Sequence, residues 1–201
     1  MVVVGLCGQS GSGKGTVCAI CNQMGIPSID TDRLYHDMIA GPSPCTASLL
    51  EAFGHSIATE VGGIDTKRLR EIVFSDPTGA MHQALNRITH YYITETLKEQ
   101  IELHRKEGTS ALILDAPMLF ESGTDQLCDV TVAVIANHQC KLLRLAERDG
   151  LSTEQADLRL SHQRGDRELF SRCDHSISNN GSLDDLRAAV ETLFFMILKN
   201  N

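Results

Sequence analysis

The sequence predicts an α/β fold in which helices flank a five-stranded parallel sheet, and three observations carry that expectation. Short apolar runs rich in β-branched residues alternate with helical stretches along the chain, the pattern of strands joined by crossover helices. Each run is nearly continuous in its hydrophobicity, as strands buried on both faces are. The first run leads directly into glycines, a lysine and a helix.

The expected strands are Val2–Cys7, Pro27–Asp30, Ala111–Asp115, Val130–Ala136 and a weaker Ser176–Ser178. A helix is expected from Lys14 to about Met24. The longest helical stretch runs from about Ala80 to Lys106, where Leu85, Ile88, Tyr92, Ile93, Leu97, Ile101 and Leu103 recur at a mostly helical period. Ser152 with Gln155 forms a capping box for the helix that follows, and Ser182 with Asp185 caps the last one less strictly. No internal repeat or low-complexity linker divides the chain, so one domain with helical insertions is expected.

With 201 residues, 42% of them hydrophobic, the chain can bury a substantial core. A formal net charge of −8 without a basic run argues against nucleic acid or an anionic membrane as partner. No apolar run is long enough for a signal peptide or a membrane span. Seven cysteines without the spacing of a disulfide framework point to a reducing, cytoplasmic setting. Cys18 and Cys21 form a C-x-x-C, but they lie one turn apart in a predicted helix with no second such pair, so packing is their expected role.

"GQSGSGKGT", residues 8–16, is a phosphate-binding loop of the P-loop type. Gly8, Gly11 and Gly13 permit the backbone to turn successive N–H groups into one concavity, and the helix behind aims its positive end at the same place. Gly11, Ser12, Gly13, Lys14, Gly15 and Thr16 are the expected nucleotide-binding positions, with Lys14 supplying a mobile cation for the β- and γ-phosphates. The loop departs from G-x-x-x-x-G-K-[ST] in one respect: Gly15 follows the lysine and the hydroxyl comes at Thr16. No guanine-reading N-K-x-D is present, and a small acidic P-loop domain suits a kinase of metabolites. Asp30 and Asp32 are expected at the C-terminal end of the second strand, where a carboxylate can hold magnesium, accept a proton from an attacking hydroxyl, or cap a helix.

"GQSGSGKGT", "IDTD", "LDAPMLFESG", "AERDGLSTEQADLRLSHQ" and "SISNNGSLDDL" occur in an order and spacing that resembles the dephospho-coenzyme A kinase family over almost the whole chain. The resemblance implies a three-layer P-loop NTPase fold with a helical substrate-binding insertion and a lid. It also implies phosphorylation of the ribose 3′-hydroxyl of dephospho-coenzyme A by ATP and Mg2+, the last step of coenzyme A synthesis. The parallel core would comprise about 1–35, 108–140 and 172–201, the substrate-binding region about 36–107 and the lid about 141–171.

By the same resemblance, Asp32 is the expected base for the 3′-hydroxyl, and His36 and His90 are expected to bind the acceptor. The family usually carries proline after the histidine at 90, where this chain has Tyr91. Asp115 resembles a Walker B carboxylate, expected with Thr16 at the metal. Pro117 and Leu119 look like substrate-wall positions, the alternative for Leu119 and Phe120 being an apolar plug, and Glu121 is expected to fix that loop by an ion pair. Arg144 and Arg148, four apart on a helix, are expected to stabilise the transferring phosphate, Arg148 having a solvated pair with Asp149 as its alternative. Arg164 and Arg167 are weaker lid candidates, and Asn180 with Gly181 resembles the adenine-side loop. The nearest rivals are a nucleoside monophosphate kinase, which would want an arginine-rich acceptor site, and a nucleotide-binding switch that transfers nothing. The expected partners are ATP and dephospho-coenzyme A; a monomer is expected, with an oligomer left open.

Overall fold

The computed structural model describes residues 1–200. Two compact units divide the chain: Met1–Asp30 with the residues from Leu103 onward, and Thr31–Glu102.

The first unit is built on five parallel strands, β1 (Val2–Cys7), β2 (Ser28–Asp30), β3 (Ala111–Asp115), β4 (Val130–Ile135) and β5 (His175–Ser178), in the order β2-β3-β1-β4-β5. All six residues of β1 are buried, as a central strand covered on both faces requires. Val2, Val4 and Leu6 turn one way and pack with α1 (Lys14–Gln23) and α9 (Leu183–Asn200), whose Val190, Phe194 and Ile197 complete that layer. Cys7 turns the other way, into a second cluster with Ala116, Leu119, Ala133 and Leu169. The strand period of two thus assigns alternate residues of β1 to opposite sides of the sheet.

Three strand limits differ from expectation: β4 ends at Ile135 rather than Ala136, and the starts of β2 and β5 differ for local reasons. β2 begins at Ser28 because Pro27 has no N–H to give; its carbonyl still accepts from Ile113 N at 2.9 Å. β5 begins at His175, ahead of the expected Ser176. Asp174 clips its start to β4 by accepting from Thr131 N at 2.8 Å and Thr131 Oγ1 at 2.7 Å.

Helices α6 (His138–Asp149), α7 (Thr153–Ser161) and α8 (Asp166–Arg172) follow β4. Gly150 ends α6 in the left-handed conformation, and the Ser152/Gln155 capping box starts α7 as expected. Leu145, Ala156 and Leu160 pack between α6 and α7.

The second unit contains α2 (Thr31–Ile39), α3 (Pro44–Phe53), α4 (Thr66–Ser75) and most of α5 (Ala80–Lys106). Ser43 caps α3 by accepting from Thr46 N, with Pro44 at the first helical position, and Asp65 caps α4. Its core is Ile39, Cys45, Leu49, Phe53, Ile57, Ile64, Leu69 and Val73, flanked by Tyr35, Leu85, Ile88 and Tyr92. Tyr92 OH and Ser48 Oγ also share a hydrogen bond of 2.8 Å. α5 runs unbroken through Tyr91, whose backbone supplies the N–H that a proline would lack.

Leu49 is fully buried at the centre of this helical core. Leu49→Ala is expected to cost about 2–5 kcal/mol through lost transfer energy and the cavity left behind. Urea unfolding checks this; a loss below about 1 kcal/mol would mean the cluster collapses freely around the gap.

Candidate active site

The loop Gly8–Gly13 joins the central strand β1 to α1, whose first turn carries Lys14 and Thr16, and is held in shape from outside. Ser12 N donates to Gln9 O at 3.0 Å, closing a turn. Asn179, buried just beyond β5, donates its Nδ2 to Ser12 O at 2.7 Å. Arg144 on α6 donates to Gly11 O at 3.2 Å, Ser12 O at 3.4 Å and Asn179 O at 3.0 Å. In a trans peptide the N–H points opposite the carbonyl, so holding Ser12 O turns the Gly13 N–H the other way.

Gly13 caps α1 at φ 101°, and no side chain caps the helix, as suits an N-terminus that receives an anion. A Cβ on Gly13 would collide with the Asn179 side chain. Gly15 is different: a Cβ there meets nothing within 4 Å. The Lys14 ammonium donates to Gly8 O at 2.9 Å, folded back along the loop. Ser12 Oγ is buried without a hydrogen-bond partner, an orphan that phosphate oxygen or a metal-bound water suits.

Two carboxylates end adjacent strands at this edge: Asp30 of β2 is the register partner of Asp115 of β3. Cys18 of α1 points its thiol at Asp115 Oδ2, 3.7 Å away, and burial followed by that carboxylate pushes the thiol up, keeping it a protonated donor. Cys21 is fully buried and pushed up to about 12 by burial, so the C-x-x-C is packing, as its helical spacing implied. Among the described residues no three His, Cys, Asp or Glu side chains form a metal cage. Magnesium asks for none, since it keeps several waters and takes one or two carboxylates plus phosphates. The exposed Thr16 hydroxyl and Asp115 are hard oxygen donors of that kind.

The placements expected for Asp32 and Leu119 change. Asp32 lies in the first turn of α2 rather than at the strand end, and is exposed. His36, also exposed, is four residues along on the same helical face. His90 on α5 is partly buried, and burial first, then His82, holds its imidazole below the usual range. Pro117 is exposed, but Leu119 is wholly buried among Cys7, Ala133 and Leu169, so the substrate-wall expectation for Leu119 gives way to the apolar plug.

Arg144 reaches the loop, whereas Arg148 is turned onto Asp149 with bonds of 2.7 and 2.8 Å, which raise its own affinity for the proton. The solvated pair is therefore what the structure contains. Arg164 joins Glu121 at 2.5 Å and also Glu168, so Glu121 does fix the loop after β3. Arg167 is exposed on α8. Asn180 accepts from Asn137 N at 2.6 Å, tying the β5 exit to the start of α6. Sequence reading missed Asn179, although it heads the "NNG" turn, and missed Gln9, Lys141 and Gln163, which no local pattern marks.

Residues 2–185 match the family described as dephospho-CoA kinase. A dephospho-CoA kinase of Symbiobacterium thermophilum is 37% identical over 95% of this chain and 79% of its own. One from Bacillus cereus is 33% identical over 99% and 96%. Among solved structures, dephospho-CoA kinase from Campylobacter jejuni superposes with a TM-score of 0.73 at 27% identity, covering 99% of this chain and 98% of that one. Shikimate kinase from Acinetobacter baumannii, at TM-score 0.54 and 14% identity over 100% and 95%, shares the fold alone.

The two glycines flanking Lys14 predict opposite outcomes. Gly13→Ala, which places a Cβ against Asn179 at positive φ, is expected to abolish nucleotide binding by calorimetry. Gly15→Ser enters open space and puts a hydroxyl directly after the lysine, so the variant should stay active and need no more magnesium than the parent. Collapse of activity in Gly15→Ser would show that the position requires close backbone approach.

Proposed function

Because the chain belongs to the dephospho-CoA kinase family, we propose that it transfers the γ-phosphoryl group of ATP to the 3′-hydroxyl of dephospho-coenzyme A, completing coenzyme A. The observation that carries this reading is the loop: bare amides at the start of α1, Lys14 beside them, and the Asp30 and Asp115 carboxylates at the adjacent strand ends.

Phosphoryl transfer asks little covalent chemistry of a protein and much positioning and charge stabilisation. Lys14 leaves Gly8 O to neutralise the β- and γ-phosphates, and the α1 N-terminus adds its dipole. Arg144 shapes the loop through its carbonyls and stands beside the same phosphates. Asp32 orients the acceptor hydroxyl and takes its proton, with His36 and His90 binding the acceptor and Pro117 bordering it. Thr16 and Asp115 would hold magnesium, which would supply charge neutralisation at the phosphates. Asn180 lies on the adenine side. Residues 36–107 serve as the acceptor-binding region and 141–171 as a lid, Arg148 exchanging Asp149 for phosphate when it closes. The protein works as a monomer in the cytoplasm on these small molecules, apart from membrane and nucleic acid. All seven cysteines are free thiols, and among the described residues no helix is long and apolar enough to cross a membrane.

A coupled ADP-release assay tests the reading: dephospho-coenzyme A should support turnover, while AMP, CMP and no acceptor should not. Turnover on AMP or CMP instead would make the protein a nucleotide kinase, and ATP binding without any turnover would make it a switch. Lys14→Ala should abolish transfer and leave the melting temperature unchanged, since the ammonium points along the loop rather than into the core. Asp32→Asn separates chemistry from structure. Loss of the base should lower turnover by roughly 10²-fold or more while ATP binding by calorimetry changes little. A variant that binds both substrates and turns over normally would remove Asp32 from the mechanism.

A further inference from the structure

Lys141 is an α6 lysine with only 4% of its surface exposed, which is unusual for an ammonium and is tolerated only where its donors are matched. Its Nζ donates to Gln9 Oε1 at 2.5 Å and to Asp166 Oδ2 at 2.9 Å. Gln9 is itself buried, and its Nε2 donates to Leu160 O in the last turn of α7 at 3.1 Å. The next residue is clasped twice: Ser10 N donates to Gln163 Oε1 at 2.8 Å, and Gln163 Nε2 donates to Ser10 Oγ at 3.0 Å. Gly11 then lies against α6, where a Cβ would meet Lys141 O at 2.8 Å. Residues 9 to 12 of the loop are thus contacted one after another by α7, the α7–α8 connection and α6, with Arg144 holding the last two.

We propose that Lys141 is a positioning residue for nucleotide binding: through Gln9 and Asp166 it fixes the outer half of the phosphate loop to the helices α6–α8. It touches no phosphate in this role. The ammonium sits where two partners from separate segments converge, and without it the Gln9 side-chain oxygen loses its donor and Asp166 is left with a carboxylate short of partners. Asp166 Oδ1 is already buried without one. The loop amides would then sample more than one arrangement before ATP arrives. The cost falls on ATP affinity, because the acceptor and the reacting atoms are not touched by this network.

The inference rests on the loop being the ATP site, and the test keeps the two apart. Gln9→Leu removes the uncharged link, and Lys141→Met with Asp166→Asn removes the ionic one without leaving a buried charge alone. ATP dissociation constants come from calorimetry on the whole protein, and KM for ATP and for dephospho-coenzyme A from the ADP-release assay. Each variant should weaken ATP binding by roughly tenfold or more, with KM for ATP rising in step, kcat largely retained and the acceptor KM within about twofold. Combining Gln9→Leu with the double substitution should add little further loss, the mark of two groups acting through one contact. ATP affinity within about twofold of the parent in these variants, even with lowered melting temperatures, would overturn the proposal and leave a purely structural network. If the charged-pair variant fails to fold, Gln9→Leu decides alone by the same criterion. A parent protein that binds no ATP would sink the nucleotide reading and this inference with it.

Discussion

The direction of one peptide plane, between Ser12 and Gly13, governs the nucleotide end of the molecule. Its carbonyl is held by Asn179 and Arg144, so its N–H is committed to the opposite side. Asn179 can act as that anchor because the sheet fixes it: Asn179 N donates to Ile135 O at 2.8 Å, extending the β4–β5 ladder by one step. The requirement then propagates. Gly13 must lack a side chain because Asn179 occupies the space, and α1 must begin there uncapped. The side chains α1 buries, Val17, Cys18, Ile20 and Cys21, lock the helix to the strand that launches it.

An acidic chain reconciles a net charge of −8 with phosphate binding by keeping its positive potential local. Backbone N–H groups and a helix terminus carry no net charge, so they attract phosphate without making the surface basic. Buried cations are balanced in place: Lys141 by Asp166, while Arg164 outside is shared between Glu121 and Glu168. The Glu121–Arg164 pair also connects the loop after β3 to the α7–α8 connection, and Arg172 of α8 lies 4.0 Å over the Phe120 ring to reinforce the same link. The loops at this edge are therefore bound to one another as well as to the sheet.

The sheet and the phosphate loop were legible in the sequence because both are written in short range. Apolar runs such as Val2–Cys7 carry their own strand signal, and glycine, lysine and helix start are adjacent along the chain. The long helix, expected at about Ala80 to Lys106, was readable because its apolar period persists over many turns. What surrounds the loop was not legible. Gln9 meets Lys141 across 132 positions, and Ser12 meets Asn179 across 167. A lysine at 141 reads as solvated surface, since nothing near it in sequence announces Gln9 and Asp166. Leu119 shows the same limit: an apolar residue after a strand suits a substrate wall or a plug equally, and only its packing against Cys7 and Leu169 decides.

The strand order has a consequence for how the protein is made. β1 is synthesised well before its neighbours: Val2 pairs with Ala111 and Val4 with Val130, so both arrive more than a hundred residues later. At roughly 5–20 residues per second, "VVVGLC" waits on the order of 5–20 s with its ladder edges unpaired. A β-branched apolar segment without a charge is then the part of the nascent chain most inclined to pair with another. The residue that relieves this, Gly5, lowers strand propensity at the middle of the segment, yet in the finished sheet it is where Leu119 and Cys128 press closest. The strand on which the whole nucleotide site is built is therefore also the one that waits longest for its partners during synthesis.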